Sequence, residues 1–203
     1  MADELELIYW DACIFYEYLK DEQKDTWKRQ AIEDCLRQNE QSLNRITTSA
    51  ITHLEVLPAK LPPDKEQDYW GLFDSMYFYD VPIDRNVIQL SREIRNFYYR
   101  PEDKKAGSKE KIMSLGDAIH LATAIIEEVD LFYTRDKNKK GGNIPLIGLP
   151  ENSPGGKLCG QYDLKIVNPA SSQGDLMAMA AEVPAEASAG GGGEPSELPT
   201  DHR

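Results

Sequence analysis

The chain has 203 residues, a length typical of one domain with an appendage, and 40% of the residues are hydrophobic. The 23 Lys and Arg residues against 35 Asp and Glu residues give a net charge of −12. This balance argues against a protein that coats nucleic acid through its overall charge, because neutralising phosphates requires an excess of cations. Three scattered cysteines form no CxxC pair, which argues against a disulfide framework or a zinc site. The sequence shows no signal peptide and no apolar run long enough for a membrane span, which predicts a soluble, cytoplasmic protein.

The first half of the chain alternates short apolar runs with helical patterns. Residues 5–10 predict a buried strand that ends at Asp11, and helix-forming residues then dominate to about Asn39. The β-branched segment 45–49 predicts a second strand, and 50–57 a helix that ends before Pro58. A further helix within 58–76 and a third strand over 78–83 follow.

The second half repeats this alternation. Asp84 is a candidate N-cap for the next helix, and the charged segment 100–111 predicts a loop or a helix extension. Residues 114–128 give the clearest helical pattern in the chain, and strands are expected over 129–136 and 162–167. This order predicts an α/β fold with a mostly parallel sheet and helices on both faces. We expect one folded domain over 1–168 and a disordered, acidic tail rich in Ala, Gly, Pro and Glu over 169–203.

Four acidic residues fall where an α/β fold places its functional groups. Asp11 ends the first strand, Glu55 lies in the helix after the second, Asp117 opens the clearest helix and Asp136 follows the fourth strand. Each alone also suits an ordinary cap, turn or surface position. Four converging carboxylates would repel one another by about 4 kcal/mol per pair at 4 Å and an effective dielectric constant near 20, so such a cluster would need a cation. All-oxygen ligands favour Mg²⁺ or Mn²⁺.

Three segments carry a resemblance to a known family. They read LIYWDACIF at 7–15, TSAITHLEVL at 48–57 and GDAIHLATAIIEEVDLFYTRDK at 116–137. Together, over roughly residues 5–167, the sequence resembles the PIN-domain nucleases, which include the VapC-type toxins. This resemblance implies a three-layer α/β/α fold and an acidic pocket that binds a divalent metal. The implied activity is cleavage of single-stranded RNA by attack of an activated water on the phosphodiester.

The resemblance also assigns roles to individual residues. Asp11, Glu55, Asp117 and Asp136 would be the catalytic set, with Asp11, Asp117 and Asp136 as the metal ligands and Glu55 completing the pocket. Thr134 would support a ligand or a water as a hydrogen-bond donor. The sequence departs from the family after its first acid, where Ala12 and Cys13 stand in place of the usual small hydroxyl or carboxamide residue. A toxin role, a homodimer and a protein antitoxin are further implications.

Basic residues gather at two places along the chain. Residues 85–111 contain eight Lys and Arg against four Asp and Glu, and the run 135–140 contains four Lys and Arg around Asp136. Arg135 and Lys137 are therefore candidate substrate-binding residues, although a solvated charged face is the ordinary interpretation. His120 shares a helix face with Asp117, and we expect it to be packed or hydrogen-bonded rather than catalytic. The alternative to a nuclease is a non-catalytic PIN-like module that binds RNA or protein.

Overall fold

The computed structural model describes residues 5–19, 26–57, 62–105, 107–137 and 144–169. The predicted disordered tail lies outside the described residues, apart from Pro169. Along the described residues, no helix is long and apolar enough to cross a lipid bilayer.

A five-stranded sheet forms the centre of the fold, and every strand pair in it is parallel. The strands lie in the spatial order β3-β2-β1-β4-β5. Their bounds are Glu6–Trp10 for β1, Asn44–Ser49 for β2, Phe78–Val81 for β3, Leu131–Tyr133 for β4 and Ile166–Val167 for β5. In the centre, Ile8 of β1 pairs with Ile46 of β2 on one side and with Leu131 of β4 on the other. The predicted α/β class and parallel sheet are confirmed.

Six α-helices connect these strands in the described part of the chain. They are α1 (Ala12–Leu19), α2 (Thr26–Glu40), α3 (Ile51–Val56), α4 (Lys65–Gly71), α5 (Arg85–Tyr98) and α6 (Leu115–Ile126). Asp84 caps α5 as predicted, because its Oδ1 accepts a hydrogen bond from the backbone N–H of Val87 at 2.9 Å. Ser114 caps α6 in the same way.

Two hydrophobic clusters cover the two faces of the sheet. Tyr9 belongs to the cluster that contains the buried residues of α5 and α6. Its neighbours Ile8 and Trp10 belong to the other cluster, with the buried residues of α1. This division follows from the period of two in a strand, which sends successive side chains to opposite faces. Helices on both faces of one sheet give the three-layer α/β/α arrangement.

The segment between α5 and α6 is neither a simple loop nor a helix extension. Arg100 pairs with Lys111, and Asp103 pairs with Ser108, through antiparallel backbone hydrogen bonds. The positive φ of Gly107, at 66°, lies within the turn that these pairs close. The charged segment therefore forms a short hairpin-like projection at the end of α5.

Candidate metal centre

Asp11 is held at the carboxyl end of the central strand by its own backbone. Its N–H donates to the carbonyl of Tyr133 at 3.1 Å, which extends the β1–β4 pairing by one residue. Its carbonyl accepts from the N–H of Ile14 at 2.9 Å, where α1 begins. The residue is only 7% exposed, so its carboxylate lies in a position fixed by both a strand and a helix.

Two side chains donate to the same oxygen of the Asp11 carboxylate. The Thr134 hydroxyl lies 2.6 Å from Oδ2, and the Cys13 thiol lies 3.1 Å from it. Burial, and then the negative charge of Asp11, raise the pKa of the Cys13 thiol well above its usual value, so the thiol remains a neutral donor. The donor predicted at Thr134 thus contacts Asp11 directly. Cys13 stands where the family usually has a small hydroxyl or carboxamide residue, yet its thiol still supports the Asp11 carboxylate.

Glu55 reaches the same region from α3. The hydroxyl of Tyr16 donates to the Glu55 backbone carbonyl. A Cβ atom built on Gly116 would overlap Glu55 Oε1, so the glycine leaves room for this carboxylate in its present position beside the first turn of α6. The position of the Glu55 carboxylate therefore depends on a residue of another helix that carries no functional group of its own.

His120 lies between the carboxylates and the core. Its Nε2 is 2.8 Å from Glu55 Oε2 and 3.6 Å from Asp11 Oδ1, and its Nδ1 is 2.7 Å from the Tyr9 hydroxyl. Burial lowers the pKa of this imidazole, but the hydrogen bond to Glu55 and the nearby negative charges of Asp11, Glu55 and Asp117 outweigh burial and raise it. The prediction of a hydrogen-bonded histidine holds. The sequence did not indicate that its partners are two of the candidate site acids.

Asp117 and Asp136 complete the acidic group. Burial raises the pKa of Asp117 to about 6, a hydrogen bond between its carboxyl and the Ser114 side chain opposes this rise, and the charges of Asp11 and Asp136 add to it. Asp136 accepts from the N–H of Leu146 at 3.2 Å, and its own N–H donates to Thr134 Oγ1 at 3.0 Å. Four acids and one imidazole thus share one region, which we call the acid cluster: Asp11, Glu55, Asp117, Asp136 and His120.

The two candidate substrate-binding residues, Arg135 and Lys137, differ in their contacts and exposure. Arg135 directs its guanidinium to Glu17 of α1, to Asn168 and to the carbonyl of Pro169. The protein's own groups therefore engage the cation that was expected to meet substrate, and its side chain is only 15% exposed. Lys137 is exposed at the end of the described segment.

The chemistry of the acid cluster fits a hard divalent cation. One ligand atom each from Asp11, Glu55 and His120 lies within 4.8 Å of the other two, a spacing that a single ion can bridge. Carboxylate oxygens are the ligands that Mg²⁺ and Mn²⁺ prefer, and the imidazole nitrogen also suits Mn²⁺. Burial is the main cause of the raised pKa of Asp117, and the charges of Asp11 and Asp136 add to it, so a cation here would relieve part of the rise. Asp11, Glu55 and His120 are therefore the residues whose ligand atoms lie close enough to hold one ion, and Asp117 and Asp136 add negative charge beside them.

The chain is similar to known proteins in two respects, a sequence-family model and solved structures. The family model described as PIN domain matches residues 8–140. The crystal structure of VapBC2 from Rickettsia felis bound to a DNA fragment from its promoter has 15% sequence identity and a TM-score of 0.44, covering 64% of this chain and 88% of that one. A toxin–antitoxin complex from Klebsiella pneumoniae has 20% identity and a TM-score of 0.41, covering 68% of this chain and 95% of that one. No curated protein sequence matches the chain.

Proposed function

The chain belongs to the PIN-domain family, and from this membership we propose that it is a Mg²⁺- or Mn²⁺-dependent endoribonuclease that cleaves single-stranded RNA. The observation that carries the proposal is the acid cluster, in which ligand atoms of Asp11, Glu55 and His120 lie within 4.8 Å of one another. A divalent ion bound there would lower the pKa of a water and neutralise charge that develops on the phosphate. No serine, cysteine or histidine nucleophile is needed for such a reaction.

The protein's own residues orient the site in this mechanism. The Thr134 hydroxyl donates a hydrogen bond to Asp11 Oδ2, which leaves Oδ1 directed toward the pocket, near His120. The His120 ring is fixed by two contacts, from Nε2 to Glu55 Oε2 and from Nδ1 to the Tyr9 hydroxyl. Asp136 is held by the backbone of Leu146. Each carboxylate thus reaches the pocket with a fixed orientation, which lowers the entropic cost of binding an ion.

The proposal includes the cellular role that family resemblance implies. The nuclease unit is residues 1–168, with the tail 169–203 outside it. The protein acts in the cytoplasm as the toxin of a toxin–antitoxin pair, as a homodimer, and a protein antitoxin covers the acidic pocket.

Cleavage of a labelled, mixed-sequence single-stranded RNA tests the nuclease proposal. Purified protein is incubated with Mg²⁺, Mn²⁺ or EDTA, beside Asp11→Asn and Asp117→Asn variants whose folding is checked by circular dichroism. Asp163→Asn is the matched control, because that side chain is 84% exposed and lies before β5, away from the cluster. We expect metal-dependent cleavage by the wild type and the control, reduced at least 10²- to 10³-fold in the two site variants.

Other outcomes separate the alternatives. Cleavage that persists in both site variants would contradict the assignment of the pocket. Absence of both cleavage and Mn²⁺ binding, measured by calorimetry, would favour the non-catalytic PIN-like module that binds RNA or protein.

A further inference from the structure

Three clefts on the described surface differ in the charge of their walls. One, at the start of β4 and β5, is lined by Glu128, Asp130 and Asp163. A second, beside α4, mixes both signs of charge. The third has a volume of about 380 Å³, and the charged residues among its described lining are Arg100 and Lys111, with no acid among them. In a chain of net charge −12, this cationic cleft is a local reversal of sign.

The cationic cleft is built on fixed backbone. Arg100 and Lys111 exchange two backbone hydrogen bonds of 3.0 and 2.9 Å, which hold their side chains next to each other. One guanidinium nitrogen of Arg100 donates to the carbonyls of Phe97 and Tyr99, both at 2.8 Å, so this side chain is already oriented. On the other wall, the Tyr98 hydroxyl contacts Ser153 Oγ at 2.8 Å. The cleft is therefore formed before any ligand arrives, which lowers the cost of binding one.

One wall of the cleft continues into the acid cluster. Ile144 and Pro145 line the cleft, and the next residue, Leu146, donates its N–H to the Asp136 carboxylate. The N–H of Ile147 donates to the Asp136 carbonyl at 3.1 Å. Because the chain advances at most about 3.6 Å per residue, the cleft begins within roughly 7 Å of the backbone that holds Asp136. The cleft and the acid cluster therefore share one segment of chain, so a polymer bound at the cluster can continue into the cleft.

We propose that the cationic cleft binds the stretch of single-stranded RNA that adjoins the phosphate to be cleaved, an inference that rests on the proposed nuclease function. Arg100 and Lys111 contact backbone phosphates, and the exposed ring of Phe97 stacks on a base. Charge complementarity selects this occupant, because paired cations without acids attract phosphates, while an aromatic ring accepts any base. The acid cluster and the cleft then divide the work, since one holds the ion and the other holds the strand.

Binding of a fluorescein-labelled 12-nucleotide RNA, measured by anisotropy in EDTA so that no cleavage occurs, tests the inference. Lys111→Gln removes one charge from the cleft and leaves its backbone pairing intact. Lys165→Gln makes the same charge change at an exposed residue before β5, away from the cleft. We expect about threefold to tenfold weaker binding for Lys111→Gln alone, and a salt dependence whose slope falls by about 0.7 for the one lost phosphate contact.

A second pair of variants tests the stacking role of Phe97. Phe97→Leu keeps an apolar side chain but removes the ring, and we expect about fivefold or greater loss of affinity, while Phe97→Tyr keeps the ring and retains binding. Equal binding by Lys111→Gln and Lys165→Gln, or no binding by the wild type, would overturn the inference. Failure of the nuclease proposal is a separate result, because it is measured as cleavage with metal rather than as binding without it.

Discussion

Two tyrosine–histidine–carboxylate groups in this fold share a hydrogen-bond pattern but lie in different surroundings. They are Tyr9, His120 and Glu55 in the acid cluster and Tyr69, His53 and Asp80 in the opposite core layer. In both, a histidine Nδ1 lies 2.7 Å from a tyrosine hydroxyl. In both, Nε2 faces a carboxylate, at 2.8 Å in the first group and 3.5 Å in the second.

The difference between the groups lies in burial and in the number of acids. The His120 side chain is 1% exposed and has a second carboxylate, that of Asp11, 3.6 Å away. The His53 side chain is 21% exposed and packs against the rings of Trp70 and Phe73, at centroid distances of 4.9 and 5.3 Å. The same pattern thus places one imidazole fully buried among acids and the other at a partly exposed position among aromatic rings. The burial and the neighbouring acids, rather than the tyrosine–histidine–carboxylate pattern itself, therefore define a candidate site.

Replacing each histidine should give the largest difference between the two groups, both in stability and in Mn²⁺ affinity. His120→Ala leaves the buried Tyr9 hydroxyl without its hydrogen-bond partner and removes the imidazole from between Asp11 and Glu55, so we expect a loss of about 3 kcal/mol in the free energy of unfolding. Mn²⁺ affinity should fall about 10- to 100-fold. His53→Ala opens a site that water already reaches, so the stability loss should be about 1 kcal/mol and Mn²⁺ affinity should stay unchanged. Urea unfolding and calorimetry measure both, and equal effects of the two substitutions would refute the distinction.

Gly116→Ala should separate metal binding from stability within the acid cluster. The added methyl group would meet Glu55 Oε1 and move that carboxylate away from His120. We expect a loss of about tenfold or more in Mn²⁺ affinity, measured by calorimetry. The free energy of unfolding should change by less than about 1 kcal/mol, because alanine favours a helix and the end of the Glu55 side chain can shift. Gly71→Ala, at a helical glycine with open space around it, is the control that should leave Mn²⁺ binding unchanged.

Asp117→Asn should stabilise the metal-free protein while removing a candidate ligand. A carboxyl whose folded-state pKa is raised, here from 3.8 to about 6, stabilises the fold below pH 3.8, and this contribution is lost as the pH rises through 6. Asparagine cannot ionise, so the variant should be more stable than the wild type at pH 7.5 by on the order of 1–2 kcal/mol. The difference should vanish near pH 4. Asp80 belongs to the His53 group and its side chain is 43% exposed, so Asp80→Asn should shift the free energy of unfolding by less than about 0.5 kcal/mol. Thermal unfolding in EDTA at both pH values measures these differences.

The smallest predicted effect compares two helix caps. Ser114→Ala and Asp84→Ala each remove an N-cap hydrogen bond of 2.9 Å, so each should cost about 1 kcal/mol of stability. Of the two capping side chains, only Ser114 also lowers the pKa of Asp117. As the pH falls, Mn²⁺ binding should therefore begin to weaken at a higher pH in Ser114→Ala than in the wild type. Asp84→Ala should keep the wild-type pH dependence. A pH titration of Mn²⁺ affinity tests this, and identical profiles for the two variants would contradict it.

The layered architecture could be predicted from sequence because its signals are local. The apolar run of β1, the Asp84 cap and the pattern of α6 each lie within a few consecutive residues. The parallel order then placed acids at the carboxyl ends of strands, which is how Asp11 and Asp136 were found. The fold class was predicted in this way, whereas the family was predicted from the resemblance of three sequence segments.

What the sequence did not indicate depends on contacts between distant elements. Glu55 and His120 are 65 residues apart, and nothing near either residue encodes the direction in which the other side chain points. The ion pair of Arg135 could not be predicted for the same reason, because Glu17 is 118 residues away and the sequence around Arg135 shows only a basic run. The support from Cys13 was likewise hidden, since a thiol becomes a useful donor only when burial keeps it neutral.

The central position of β1 has a consequence for how the protein is made. Asp11 and Thr134, which share a hydrogen bond, are separated by 123 residues, and β1 pairs with β4 only after most of the domain has been synthesised. A nascent chain that stops before α6 has its first two acids but neither Asp117 nor Thr134. The parallel sheet thus delays assembly of the acid cluster until late in translation, as expected for a topology dominated by long-range strand pairs.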